Sequence, residues 1–181
     1  MSEQSLKNIL LTGSPGCGKT TIIGRLIEHL SDLRLSGFFT QEIRERGERL
    51  GFLAVGLHGA AAVLAHVRSQ SKLRVGRYGV EPQRLQPLVQ AELEQPAEEV
   101  DVFLIDEIGK MELYCPAFVE RVPLLLSGPT PVVATVALKG SGLIVQVKDR
   151  KDGRLVQVTN ANRDELPEVL EGWLRGHRRP R

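Results

Sequence analysis

Eight residues near the N-terminus, Gly13-Ser14-Pro15-Gly16-Cys17-Gly18-Lys19-Thr20, fit the pattern G-x-x-x-x-G-K-[ST] without deviation. This pattern constrains the fold because it works only between a strand and a helix. The glycines let successive backbone N–H groups converge on phosphate oxygens, and the helix that follows adds the positive end of its dipole. The flanks agree. Ile9-Leu10-Leu11 reads as a short buried strand, and Ile22, Ile23, Leu26, Ile27, Leu30 and Leu33 recur at helical spacing. An amphipathic helix is therefore predicted from Thr20 to about Leu33. In that setting Lys19 is expected to reach the β- and γ-phosphates of a bound nucleotide, and the Thr20 hydroxyl to ligate Mg²⁺.

A second segment completes the chemistry. Val100 to Ile105 is a nearly continuous apolar run that ends in Asp106-Glu107, as expected of a strand buried on both faces of a parallel sheet. An acid at the end of such a strand can hold Mg²⁺ against the phosphates, the role read for Asp106. Glu107, one residue on, is placed to orient and deprotonate an attacking water.

The rest of the chain alternates strand and helix. Gly37 to Ile43 and Leu50 to Leu57 flank a charged turn around Gly47 and predict a β-hairpin after the first helix. Leu73 to Val80 reads as a short strand pair. Pro82 to about Leu93 and Pro116 to Leu126 read as helices, the second despite Pro123. Pro131 to Val136 is a buried strand and Leu143 to Lys148 either helix or strand. Leu155 to Val158 is a last strand, and Arg163 to Leu174 a final helix. The segment Leu57 to Lys72 follows no recognisable pattern. The expected fold is α/β, three layers with helices on both faces of a largely parallel central sheet.

With 181 residues, 41% of them apolar, and no linker or repeat, a single domain over 1–174 is expected. Lys and Arg number 24 against 22 Asp and Glu, and four of the arginines fall in 175–181, a basic tail read as disordered. This balance shows no basic face, so no stable nucleic-acid complex is expected. The two cysteines, Cys17 and Cys115, are too few for a disulfide scaffold and read as reduced thiols of a cytoplasmic protein. The start of the chain lacks the apolar core of a signal peptide. Ala54 to Val67, interrupted by His58 and His66, falls short of the roughly 18 apolar residues of a membrane span. A monomer is expected.

Taken together, Gly13 to Thr20 with Thr21, and Asp106-Glu107-Ile108-Gly109-Lys110-Met111-Glu112, resemble the small P-loop nucleoside-triphosphatases. The resemblance continues in Gly37 to Arg44, Arg74 to Tyr78, and Val158 to Arg163, in the same order, and covers Ile9 to about Leu174. It implies Mg²⁺-dependent hydrolysis of ATP, GTP and other nucleoside triphosphates to the diphosphate, with loose base selectivity. By position it implies phosphate binding at Gly13, Ser14, Pro15, Gly16, Cys17, Gly18, Lys19, Thr20 and Thr21. It also implies Mg²⁺ at Thr20 and Asp106, with Glu107 as the base.

Several further residues are candidates. Lys110 can offset γ-phosphate charge. Thr135, at the end of a strand, can sense the γ-phosphate or merely fill the sheet. Asn160, Asn162 and Arg163 lie where a base can sit, although Asn162 also suits helix capping. Arg44, Arg46, Arg74 and Arg77 are open as a finger toward the transferred phosphoryl group. The main alternative to hydrolysis is a kinase of a nucleotide, polynucleotide end or small molecule, with Arg150-Lys151-Asp152-Gly153-Arg154 as its lid. A guanine-nucleotide switch is the other, but the chain holds no N-K-x-D base reader.

Overall fold

The apolar runs assemble into one mixed sheet. The computed structural model describes residues 6–177. In chain order these form β1 (Asn8–Thr12), α1 (Lys19–His29), β2 (Leu35–Glu45), β3 (Glu48–Gly56), β4 (Ala61–His66), β5 (Arg74–Val75) and β6 (Tyr78–Val80). They continue with α2 (Pro82–Leu93), β7 (Val102–Ile108), a 3-10 turn (Glu112–Tyr114), α3 (Pro116–Ser127), β8 (Val132–Val136), α4 (Leu143–Lys148), β9 (Gly153–Gln157) and α5 (Leu166–Gly176). Across the described residues the strand order is β5-β6-β4-β3-β2-β7-β8-β1-β9. The half from β2 to β9 is parallel, and the two ends of the order differ in character. Beyond β2, the strands β3, β4, β6 and β5 extend the sheet as antiparallel hairpins.

Alternation along the parallel strands divides the interior in two. Leu10, Phe103, Ile105, Val132 and Ala134 point to one face and pack with α2, α3 and α4. Ile9, Leu11, Val102, Leu104 and Val133 point to the other and pack with α1 and α5. A third, small cluster of Ala65, Tyr78 and Val80 lies under the antiparallel end, with Phe52, Val75 and Met111 half-buried against it. Glu92 of α2 ties that end to the parallel half. Its buried carboxylate accepts from the backbone N–H of Gly37 at 3.3 Å and of His58 at 2.9 Å, and pairs with His58 Nδ1 at 2.8 Å.

Some boundaries differ from expectation. Ala61–His66, inside the segment without a recognisable pattern, is strand β4, and Leu143–Lys148 is helix. Pro123 and Pro87 both sit inside helices without ending them. The last helix begins at Leu166 rather than Arg163 and runs past 174 to Gly176. Arg175 is held there by Asp32 at 2.9 Å and by Glu171 at 2.9 Å, so the basic tail does not begin at 175. Residues 178–181 of that tail lie outside the described residues, as do residues 1–5 of the stretch read for a signal peptide. No helix of the described residues is long and apolar enough to cross a membrane.

Candidate active site

The loop between β1 and α1 turns on Gly18, which precedes α1 with φ +108°. A side chain there would be strained by that φ and would meet Arg163 Cδ at 3.3 Å. The Cys17 side chain faces inward, packs on the core beneath α1 and lies close to Gly13, so residue 17 contributes backbone to the loop's outer surface. Lys19 folds back over the loop, its Nζ donating to the carbonyls of Gly13 at 3.0 Å and Ser14 at 3.3 Å.

β7 brings the acids to this loop. Its ladder with β8 runs Phe103↔Val132 to Ile105↔Ala134, then slips by one residue before Ile108↔Val136. A bulge of this kind re-aims side chains where pairing stops, and here the residues it frees are Asp106 and Glu107. Asp106 is 1% exposed. Its Oδ2 accepts from Thr20 Oγ1 at 2.8 Å and from Thr40 Oγ1 at 3.1 Å, and its Oδ1 accepts from Thr135 Oγ1 at 2.6 Å. Three hydroxyls from α1, β2 and β8 therefore fix one carboxylate. Thr135 does not point freely at a γ-phosphate; its hydroxyl is engaged by Asp106.

Glu107 is half-buried beside them. Burial, and then the Asp106 carboxylate, push its carboxyl above the usual range, while Lys19 and Lys148 pull the other way. Lys148 itself is anchored at the carbonyls of Ala137 and Leu138, 2.6 and 2.9 Å from its Nζ. Glu112 is 4% exposed, and burial pushes its carboxyl up to about 8, opposed by the backbone N–H groups of Glu112 and Gly109 and reinforced by Glu107 and Asp106. Gly109 separates the two carboxyl groups. A Cβ at Gly109 would stand 2.6 Å from Glu107 Oε1 and 2.9 Å from Glu112 Oε2.

These groups share a cavity of about 880 Å³. Pro15, Gly16, Gly18, Lys19, Thr20, Thr21, Asp106, Glu107 and Lys110 line it, as the sequence predicts, together with Thr40 and Glu112, which the sequence did not single out for a role. Arg44, Arg46, Arg74 and Arg77 are absent from its wall. Arg44 pairs with Glu42 at 2.6 Å, and Arg77 with Glu48 at 2.8 Å. The stretch from Arg150 to Arg154 is no lid. Gly153 and Arg154 pair with Asn8 and Ile9, the start of β1, at the sheet edge opposite the loop. Asn162 does not cap α5. It ties the loop after β9, its Oδ1 accepting from Thr159 N and its Nδ2 donating to the Gln157 carbonyl, each at 2.9 Å. Arg163 lines a smaller notch of about 210 Å³ with Gly18, Thr21, Ile22, Arg25 and Asp164.

The family model described as NTPase matches residues 8–170. A nucleoside-triphosphatase THEP1 from Natranaerobius thermophilus is 40% identical over 90% of this chain and 93% of its own length. A cancer-related nucleoside-triphosphatase homolog from Mus musculus is 38% identical over 91% of this chain and 95% of its own. The crystal structure of THEP1 from Aquifex aeolicus superposes with a TM-score of 0.85 at 33% identity, covering 92% of this chain and 98% of that one.

Proposed function

The chain belongs to this NTPase family and is a nucleoside-triphosphatase, and we propose that it cleaves ATP, GTP and other triphosphates to the diphosphate with Mg²⁺ and little preference for the base. The observation that carries the reading is the contact between Thr20 and Asp106 at 2.8 Å, with Glu107 adjacent in the same cavity.

The residues fit Mg²⁺. Thr20 and Asp106 offer hard oxygen atoms, and the described residues contain no cluster of three or more His, Cys, Asp or Glu suited to an all-protein metal cage. That is the donor set of an ion held by one carboxylate, waters and substrate phosphates. Thr20 and Asp106 would hold the ion, which would supply positive charge to offset that of the phosphates. Thr40 and Thr135 keep the Asp106 carboxylate in its orientation.

The loop's backbone N–H groups bind the phosphates, and Lys19 leaves the Gly13 and Ser14 carbonyls for the β- and γ-oxygens. Glu107 takes a proton from the attacking water, its basicity raised by burial. The low base selectivity rests on the notch at Gly18, Thr21 and Arg163. At about 210 Å³ it is smaller than the roughly 300 Å³ at which ligand pockets begin, so a base there is supported rather than enclosed. We read the protein as a cytoplasmic monomer without a stable nucleic-acid partner, in keeping with the free thiols of Cys17 and Cys115 and the balanced charge. Lys19→Ala should abolish triphosphate binding, measured by equilibrium titration with a non-hydrolysable analogue. Unchanged binding would contradict the assignment of the loop.

A further inference from the structure

The cavity extends beyond the phosphate loop and the acids. Its volume of about 880 Å³ lies in the upper part of the roughly 300–1,000 Å³ range of small-molecule sites. The triphosphate takes the part lined by the loop, and the remainder lies on one side. Loop backbone cradles the α- and β-phosphates, and Lys19, Thr20 and Asp106 mark the γ end. The nucleoside therefore leaves past Gly18 and Thr21, toward the notch that includes Arg163. The opposite wall is built from β2, the hairpin strands beyond it and the turn after β7: Gln41, Phe52, Leu64, Val75, Met111 and Glu112. In-line displacement places the attacking atom opposite the leaving β-phosphate, and so on the side of this wall.

The wall has a definite chemistry. Phe52, Leu64, Val75 and Met111 give it an apolar lining against which a flat ring can pack, and three of them rest on the small third core. The Gln41 amide and the Glu112 carboxyl supply polar groups among them. With its carboxyl pushed up to about 8, Glu112 offers both an O–H donor and a carbonyl acceptor at neutral pH. The cations lining the cavity are Lys19 in the loop and Lys110 in the turn after β7; the acids Glu42 and Glu112 share the far side with Lys110, and Glu42 is already paired with Arg44 and Arg49. No arginine is among the described residues lining this cavity to clamp a second phosphate, and a neutral acceptor needs none.

We propose that the far half of the cavity is an acceptor site for a neutral, hydroxyl-bearing molecule with a flat heteroaromatic ring, a nucleoside in size and chemistry, to which the γ-phosphoryl group is transferred. The inference rests on the triphosphatase reading of the same site. The acceptor's hydroxyl oxygen forms a bond to the γ-phosphorus as the bond from that phosphorus to the β–γ bridging oxygen breaks. The diphosphate leaves with that electron pair, and the hydroxyl proton passes to the Glu107 carboxylate. Water in the same position gives hydrolysis.

The test follows label from γ-³²P-ATP with Mg²⁺ in the presence of millimolar adenosine, guanosine, cytidine, uridine or thymidine. Label is expected in a nucleoside monophosphate as well as in inorganic phosphate for at least one of the five. Val75→Trp fills this part of the cavity from a two-residue edge strand. It should lower transfer by about tenfold or more, the scale of a pocket contact, while phosphate release stays within about threefold. Calorimetric titration of the same nucleosides into protein loaded with a non-hydrolysable triphosphate should show binding in the wild type that Val75→Trp weakens. Label in inorganic phosphate alone, for all five nucleosides, overturns the acceptor site and leaves the triphosphatase reading standing; no label released at all overturns that reading instead. Nucleoside binding without transfer overturns the phosphotransfer, and transfer unaltered by Val75→Trp overturns its location.

Discussion

The hydroxyl of Thr135 donates to Oδ1 of Asp106 at 2.6 Å, so the strand β8 between loop and acid aims the carboxylate at Thr20. Thr40 does the same from β2, at 3.1 Å to Oδ2. An Asp at a strand end has several rotamers, and these hydroxyls select one.

Thr135→Val keeps shape and removes that donor. A hydrogen bond to a charged group contributes about 1.5–3 kcal/mol, so turnover should fall roughly 10- to 100-fold and the Mg²⁺ concentration for half-activity should rise. Thr135→Ser should recover most of the loss. A titration of activity with Mg²⁺ checks both; a Thr135→Val enzyme with wild-type turnover and Mg²⁺ dependence would show the contact to be idle.

Gly109→Ala tests the spacing of the two glutamates. The new methyl carbon would stand 2.6 Å from Glu107 Oε1 and 2.9 Å from Glu112 Oε2, and both carboxyl groups must move. Misplacing a reacting group by about 1 Å can cost on the order of 10² in rate. Turnover should fall on that scale while triphosphate affinity, set by the loop, stays within about threefold. Steady-state kinetics with a parallel binding titration separates the two.

Glu112 imposes a pH dependence on stability. Burial pushes its carboxyl up to about 8 in the folded protein, from an ordinary value of 4.5. The folded state thus holds its proton where the unfolded chain has lost it. Stability from this group is fully present below about pH 4.5, declines as pH rises, and is lost by about pH 8. Glu112→Gln cannot titrate, so relative to the wild type it should gain stability steadily between pH 5 and 8, by a few kcal/mol in all. Urea unfolding of both proteins across that interval measures the difference; parallel curves would contradict the buried, neutral carboxyl.

Much of this site is legible in the sequence because its parts are local. The strand, loop and helix from β1 to α1 are contiguous, and Asp106 and Glu107 close an apolar run that only a buried strand explains. Thr40 is different. Nothing marks a threonine inside β2 until the parallel pairing of β2 with β7 sets it against Asp106. Glu112 belongs to a motif, but its role depends on burial that spacing does not reveal. Strand β4 was hidden because Ala61, Ala62 and Ala65 have weak strand preference and fold as strand through pairing on both sides. The apolar part of the far wall comes chiefly from β3, β4 and β5 (Phe52, Leu64 and Val75), which only long-range hairpin packing brings to the acids.

The most direct test is phosphate release from ATP, GTP, CTP and UTP, with and without Mg²⁺, by the wild type and by Glu107→Gln. The expected result is Mg²⁺-dependent release from all four at comparable rates, slowed by about 10²–10⁴ in the variant while triphosphate binding is retained. Release that is equally fast in Glu107→Gln, or that needs no Mg²⁺, would contradict the account.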